Sequence, residues 1–402
     1  MSSKWSEVVV KEVCESVVDC VNKTAPVVDY ITPYRMIRTT NVKNGTVNLE
    51  GARYVTQEVY EKWTRRVVPQ YGDVILTREA PLGEVGMLKS NEKIFLGQRL
   101  MQYRANPEKL NNHFLLYSLQ ESFMQGQIRA SGSGSTVEHM RVGDAENLKI
   151  KLPHIEVQQK IASILSAYDD LIDNNNRRIA ILEEMARSLY REWFVKFRFP
   201  GHEKVKMVDP ELGQIPEGWE VVKLFDTALP IYGYAFKSSL FNDKEEGIPV
   251  VRIRDILKNI SNTFTPEHPK KQDQILKNGD LLIGMDGDFH MGKWAGGHAY
   301  LNQRVVKITP KEGYSPYFTF LSMEKSIKEL NVSIVGTTVA HLGDSHLKEI
   351  QIILPEEKVL LKANAILDLL FKQEINLRVR NKNLKTQRDM LLPKLISGKI
   401  EV

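Results

Sequence analysis

Cysteine is scarce in this chain, with only Cys14 and Cys20. Two thiols cannot build a disulfide framework or a four-ligand zinc site, so both are expected as small buried apolar residues. Long apolar runs are missing too, and nothing approaches the roughly 18 residues that a bilayer span needs. The N-terminal stretch MSSKWSEVVVKEV carries charges where a signal peptide needs an apolar core. The expectation is a cytoplasmic protein with no membrane partner. Signatures of catalysis are also lacking. No Gly-x-Gly-x-x-Gly opens a helix, no His-Glu-x-x-His occurs, and the Asn/Asp-Pro-Pro-Tyr motif of amino-methyltransferases is absent. Gly287-Asp-Phe-His-Met-Gly-Lys-Trp294 approaches a phosphate loop, but Trp294 stands where Ser or Thr would hold magnesium. No cofactor or metal is therefore expected in this chain, and no catalytic residue.

What is present fits ordinary globular cores. The 402 residues exceed what one core usually holds, and 42% of them are hydrophobic. The charged share of 26% rules out wholesale disorder, and the net charge of +5 is compatible with a polyanionic partner.

The chain repeats once. Trp5 and its Ser-Glu-Val-Val match Trp219-Glu-Val-Val, and the blocks around Arg38 and Arg252 correspond. Gly72-Asp-Val-Ile-Leu matches Gly279-Asp-Leu-Leu-Ile, and Leu96-Gly-Gln-Arg99 matches Leu301-Asn-Gln-Arg304. Gly134-Ser-Thr-Val-Glu-His139 matches Gly336-Thr-Thr-Val-Ala-His341, and Leu152-Pro153 matches Leu354-Pro355. The offset falls from 214 residues at the tryptophans to 207, 205 and 202 at later blocks, so only small insertions separate the halves. Each half opens with about 150 residues of short apolar runs broken by Gly, Pro, Asn and Asp, a pattern of short strands. Strands are expected at 74–76, 250–253, 281–283 and 351–354, and short helices at 111–125 and 316–330.

Each half then closes with a long helical pattern. In the first, over 156–197, Ile161, Leu165, Tyr168, Ile172, Asn175, Ile179, Leu182, Ala186, Leu189 and Trp193 fall at steps of four and three, a heptad seam. At about 1.5 Å per residue this helix spans roughly 60 Å, too long to be buried in one globule. Asn175 is a polar seam residue of the kind that fixes register. In the second, Leu370, Leu377, Leu384 and Leu391 recur every seven residues, with Ile366, Gln373, Arg380 and Gln387 expected between them. Pro393 should end it, leaving Lys394–Ile400 as a short hook. The two helices are expected to pair antiparallel in a pseudo-two-fold arrangement. The fold class is thus α+β, with two β-rich mixed domains joined by an antiparallel coiled coil. The expected boundaries are 1–154 for the first domain, 155–198 for the central helix and 199–218 for a Pro- and Gly-rich linker. The second domain follows at 219–355, then the distal helix and hook at 356–402.

Candidate binding residues lie on the loops of both halves. Arg, Asn, Asp and Glu can read base edges, while Lys, Ser and Gly amides suit phosphates. In the first half these are Arg35, Arg38, Thr40, Asn41, Lys43, Arg78, Glu79, Arg129, Ser133 and Ser135. In the second they are Lys237, Arg252, Arg254, Asp255, Asp286, Asp288, His290, Lys293, Thr337 and His341. The repeated Gln98-Arg99 and Gln303-Arg304 are expected to tie loops together instead.

Several stretches resemble the specificity subunits of type I restriction–modification systems. Ser188-Leu-Tyr-Arg-Glu-Trp-Phe-Val-Lys-Phe-Arg-Phe-Pro-Gly-His-Glu203 resembles the end of that family's central helix. Ile215-Pro-Glu-Gly-Trp219-Glu resembles the start of its second target-recognition domain, and Leu391-Leu-Pro-Lys-Leu-Ile-Ser-Gly398-Lys-Ile its C-terminal motif. The resemblance covers essentially the whole chain. It implies a non-catalytic subunit in which each recognition domain reads one half of a split target in double-stranded DNA. The helix pair would set the spacer and dock two modification subunits, which use S-adenosylmethionine to methylate adenine at N6. A motor and nuclease subunit using ATP and magnesium joins some such complexes. A coiled-coil scaffold that binds only protein is the alternative.

Overall fold

A computed structural model describes residues 5–132, 138–208, 214–334 and 341–402. The chain divides into two compact units. One comprises residues 1–170 and 385–402, the other residues 171–384.

In the first unit, Ser6–Val9 pairs antiparallel with Lys149–Leu152, so the opening strand closes on the strand just before Leu-Pro. A six-stranded sheet runs in the order Cys14–Asp19, Leu100–Ala105, Val74–Arg78, Leu82–Met87, Gly45–Val47, Val42–Lys43. A smaller sheet sets Tyr34–Ile37 parallel to Lys93–Leu96. Met87, Met101 and Tyr103 of the large sheet bury against Phe114, Leu115 and Ile128. Those three residues belong to Asn112–Gln120 and Ser122–Ala130, two helices where one was expected. Glu121 breaks the run: its backbone is extended, and its carboxylate caps the second helix by accepting the Phe123 N–H at 2.8 Å.

The second unit repeats this plan. Glu220–Lys223 pairs antiparallel with Gln351–Leu354. One sheet runs Ala228–Tyr232, Val305–Pro310, Leu281–Gly284, Met291–Lys293, the same order as the first four strands above. Ile248–Val251 lies parallel to Ala299–Leu301, the counterpart of the parallel pair in the first unit. The expected strand through Ile253 stops at Val251, because Asp255 accepts the Arg252 N–H and starts a helical turn at Ile253. Trp219 is buried among Phe194, Phe197 and Phe199, with ring centroids 5.1–5.9 Å away. This aromatic cluster explains the Trp-Phe-Val-Lys-Phe-Arg-Phe run. A π-helical turn at Arg191–Val195 follows the central helix, whose α-helical part is Ile155–Tyr190.

The repeated Gly-Asp pairs have a backbone cause. Gly72 and Gly279 sit at φ +91° and +96°, which side chains rarely tolerate. Asp73 and Asp280 then each accept a backbone N–H three residues back, at 2.7 and 2.8 Å. Asp73 also accepts Gln102 Nε2 at 2.6 Å and both Arg104 Nε and Nη2, at 2.9 and 2.8 Å. In the second unit the residue matching Gln102 is Lys307, whose Nζ lies 3.7 Å from Asp280.

The central seam is buried at Ile161, Leu165, Ile172, Asn175, Ile179, Leu182 and Ala186, with Tyr168, Leu189 and Trp193 half-buried. The distal helix runs Glu357–Ile396. Leu370 and Leu377 are buried and Leu384 and Leu391 half-buried, but the residues between them shift by one from expectation. Ile366 is 40% exposed, whereas Leu367 is fully buried. Gln373 and Arg380 are exposed, whereas Glu374 and Asn381 are buried. The seam therefore reads 363, 367, 370, 374, 377, 381, 384, 388, 391, 395. Pro393 does not end the helix, which runs on to Ile396 because Leu395 and Ile396 bury beside Ile161 and Leu165. Gly398, left-handed at φ +70°, turns the chain there against the Trp5 ring.

Within the second unit the helices run antiparallel. Asn175 is paired with Asn381, whose Oδ1 accepts its Nδ2–H at 2.8 Å. Eight residues further along the central helix, Glu183 meets Arg378 at 2.8 Å. In the first unit Asp169 meets Arg388, and Leu395 packs near Ile161 and Leu165, again an antiparallel order. Burial opposes the charge of the Glu183 carboxyl, but Lys293 and Arg378 outweigh it and hold its pKa below the ordinary 4.5.

Two outcomes are expected. Asp73→Ala should cost the first unit about 3 kcal/mol, because buried Gln102 and half-buried Arg104 lose their shared acceptor; urea unfolding would show a lower midpoint. Glu183 is depressed in the fold, so its stabilisation is present above pH 4.5 and lost as pH falls through its lowered value. Glu183→Gln should thus flatten the acid limb of the second unit's melting curve below that pH, read by thermal melts over a pH series.

Candidate nucleic-acid interface

The strand after each Gly-Asp pair delivers a carboxylate to its far end. In the first unit this is Glu79, which lies 3.3 Å from both Arg99 Nε and His139 Nδ1. In the second it is Asp286, which lies 3.0 Å from Arg304 Nη1 and 2.6 Å from His341 Nδ1. The backbones of Glu79 and Asp286 each also form a single antiparallel bridge with that same histidine's backbone. The arrangement is thus repeated, with Glu exchanged for Asp. The arginines are about half exposed, at 51% and 56%, while the carboxylates are mostly covered, at 20% and 25%. The carboxylate holds the guanidinium in place and leaves other N–H groups to solvent. Such a fork suits phosphate oxygens or a guanine edge. Composition and pattern gave these two arginines a loop-tying role, and they do tie a strand end to a loop. The signal for anything more was their recurrence beside a repeated histidine.

The other candidates separate by burial. Thr40, Lys43, Arg129, Lys237, Arg254, Asp288 and His341 are exposed. Arg35 is half-buried, 3.2 Å from Glu92 and over the Tyr54 ring. Arg38 is half-buried and donates to the Gly51 carbonyl at 3.1 Å. Arg252 and His290 are half-buried. Ser133, Ser135 and Thr337 lie outside the described residues.

Four candidates are corrected. Asn41 is 4% exposed; its side chain accepts the Arg38 N–H and donates to the Asn48 and Glu50 carbonyls, so it builds a turn. Arg78 is 7% exposed and donates to the Met140 carbonyl at 2.9 Å, lacing the strand end to the His139 segment. Asp255 is buried and caps the turn at Ile253. Lys293 is 6% exposed, with Nζ 2.9 Å from both Glu183 and Glu374. Each of these polar groups is engaged inside the protein, where base edges cannot reach.

Of the two cysteines, Cys20 is buried and Cys14 only half-buried, and burial pushes the Cys14 thiol up to about 12. Among the described residues no group of three His, Cys, Asp or Glu could hold a metal. No helix among them is long and apolar enough to cross a membrane.

Comparison with known proteins adds a family. Residues 2–184 and 216–384 match the family described as type I restriction modification DNA specificity domain. The type I restriction enzyme MjaIX specificity subunit of Methanocaldococcus jannaschii is 27% identical over 365 residues, covering 88% of this chain and 83% of that protein. The EcoBI specificity subunit of Escherichia coli is 32% identical over 194 residues, 46% of this chain and 40% of that one. The crystal structure of the type I restriction–modification S subunit from M. genitalium covers 97% of this chain and 96% of its own, with a TM-score of 0.59. At 16% identity that last likeness is one of fold.

Proposed function

Because this chain belongs to the type I restriction–modification DNA specificity family, and is a specificity subunit of such a system, we propose that each globule reads one half of a bipartite DNA target. The observation that carries this reading is the solvent-facing Arg–carboxylate–His cluster, present once in each globule on the same strand end. The exposed candidates differ between the halves: Thr40, Lys43 and Arg129 in one, Lys237, Arg254 and Asp288 in the other. A shared frame with unlike loops suits an asymmetric split sequence. Base edges would be read by the loops, and phosphates would fix the register.

The paired helices set the spacer between half-sites and dock two modification subunits. Supporting the docking, the central helix leaves Ile164, Leu171, Ile181 and Met185 exposed, and the distal helix Leu361 and Leu369. Single exposed apolar residues are ordinary on any surface, but a series along two long helices offers an apolar stripe to partner helices. S-adenosylmethionine would be held by the modification subunits, and ATP and magnesium by a motor subunit where one joins. The mild net charge of +5 leaves partners to supply many phosphate contacts.

The test is a single-molecule methylome of cells expressing this chain with the modification subunit of its own locus. A split motif carrying N6-methyladenine on opposite strands, lost when this chain is omitted, is the expected result. A stable complex without new methylation would favour the protein-binding scaffold. Replacing residues 1–152 with the matching part of another family member should change one half-site only; a change in both would refute modular reading. Inserting one helical turn into both long helices should change the spacer and leave the half-sites intact, and the same methylome reads it.

A further inference from the structure

Each unit contains a polar node at which a tyrosine of the globule, a carboxylate of a long helix and an arginine of the distal helix meet. In the first unit the Tyr117 hydroxyl donates to Asp169 Oδ2 at 2.6 Å, and the Arg388 guanidinium binds Asp169 Oδ1. Tyr117 lies on Asn112–Gln120, Asp169 on the central helix and Arg388 on the distal helix. In the second unit the Tyr317 hydroxyl donates to Glu374, and Arg378 donates to Glu374 at 2.7 Å and to Glu183 at 2.8 Å. Tyr317 lies on Pro316–Ile334, Glu183 on the central helix, Glu374 and Arg378 on the distal helix. Lys293, from the sheet of the same globule, completes that node, 2.9 Å from each glutamate and over the Tyr317 ring.

Two features set these nodes apart from surface ion pairs. First, each carboxylate with a tyrosine lies on the long helix that follows its own globule in the chain, Asp169 after the first and Glu374 after the second. Each globule is thus tied to the helix that follows it, by residues that do not correspond in the repeat. Second, they are covered: in the second node Glu374 is 0% exposed and Lys293 5%, and in the first Tyr117 is buried while Asp169 and Arg388 are half-buried. A buried ion network adds little net stability compared with apolar packing, but removing one partner is costly, so it tolerates one geometry. Apolar contacts between a globule and a helix allow sliding, whereas hydrogen bonds of fixed length and direction do not.

We propose that these two nodes are pose clamps: Tyr117–Asp169–Arg388 and Tyr317–Glu374–Lys293 fix the angle at which each recognition globule sits on the helices of its own unit, and so make Tyr117, Tyr317 and Lys293 positioning residues for spacer length. This rests on the reading that the globules bind half-sites and the helices set their separation. The clamps touch no base. They remove the rocking that would let a globule reach a half-site one base pair nearer or farther.

The experiment uses the full complex with the modification subunit and reads the methylome. The variants are Tyr117→Phe, Tyr317→Phe and Lys293→Met, with Ile308→Val as a control that loosens the second unit's core without removing any polar group of the node. Tyr→Phe keeps the ring and removes only the hydroxyl, and thermal melts establish that each variant is folded. The expected result is unchanged bases in both half-sites, with methylation at sites whose spacer is one base pair longer or shorter rising at least about tenfold. Ile308→Val should melt earlier yet keep one spacer. Folded tyrosine variants that keep a single spacer, or an Ile308→Val variant that relaxes it equally, would overturn the clamps. A wild-type complex that methylates no split motif would instead overturn the underlying reading, and the clamps with it.

Discussion

Placement of polar side chains at three successive heptad positions of the distal helix, with Glu374 and Asn381 buried and Arg388 half-buried, is the constraint from which much else follows. Glu374, Asn381 and Arg388 occupy seam positions that apolar residues would fill in an ordinary coiled coil. Each is costly to bury alone, and each has a partner of matching chemistry. Glu374 has Tyr317, Lys293 and Arg378; Asn381 has Asn175 and Asn176; Arg388 has Asp169. A slip of one heptad would set Asn381 against Leu182 and strand a buried amide, at a cost of about 1–3 kcal/mol. Leucines alone would tolerate that slip far better. The seam is therefore weaker as glue than an all-leucine one and far more selective for register. For helices whose proposed task is to hold a fixed distance, that exchange is favourable.

The duplication shows which parts of a globule are physically forced. Both units keep the left-handed glycine, the aspartate that caps the turn before the strand, the four-strand order and the closing pair of strands. Each of these satisfies backbone geometry or buried hydrogen bonds, so substitution carries a penalty wherever it occurs. The polar partner of that aspartate was free to change, from Gln102 and Arg104 in one unit to Lys307 in the other, because only its donor chemistry matters. Residues such as Thr40, Lys43, Arg254 and Asp288 have exposed side chains. Divergence there costs no stability, and this freedom is what a family of differing DNA specificities would need.

The same distinction explains what could be read from the sequence. The central seam was legible over its whole length, since all its residues but Asn175 are apolar or aromatic and period identifies them. The leucine ladder of the distal helix was legible too, but its intermediate positions were assigned one residue early, to Ile366, Gln373, Arg380 and Gln387. Periodicity cannot choose between adjacent polar residues, and at the first step it preferred Ile366, which is as hydrophobic as the buried Leu367. What places Glu374 inside is a tyrosine 57 residues away, and for Arg388 it is an aspartate 219 residues away. Such pairings exist only in three dimensions. The misassigned site residues share this cause. Asn41, Arg78, Asp255 and Lys293 have side chains that can bind DNA, but each is consumed by a turn, a strand end, a helix cap or an ion network. Residue type alone does not say whether a donor is already spent.

Charge is thus divided between two tasks. Some of it is turned inward, where Lys293, Arg378, Arg388 and Arg104 neutralise carboxylates and fix geometry. These cations add nothing to attraction for a polyanion. Arg99 and Arg304 stand between the two roles, half exposed but each tethered to a carboxylate. A tethered arginine is pre-oriented, so less side-chain freedom is lost when it meets a phosphate. Its neighbouring carboxylate also offsets its long-range field, which lowers nonspecific affinity for DNA at large. On the proposed reading, a chain built this way would gain little from charge alone and would depend on shape, pose and partners to bind. For a subunit whose proposed role is discrimination, weak binding everywhere else is part of how one site can stand out.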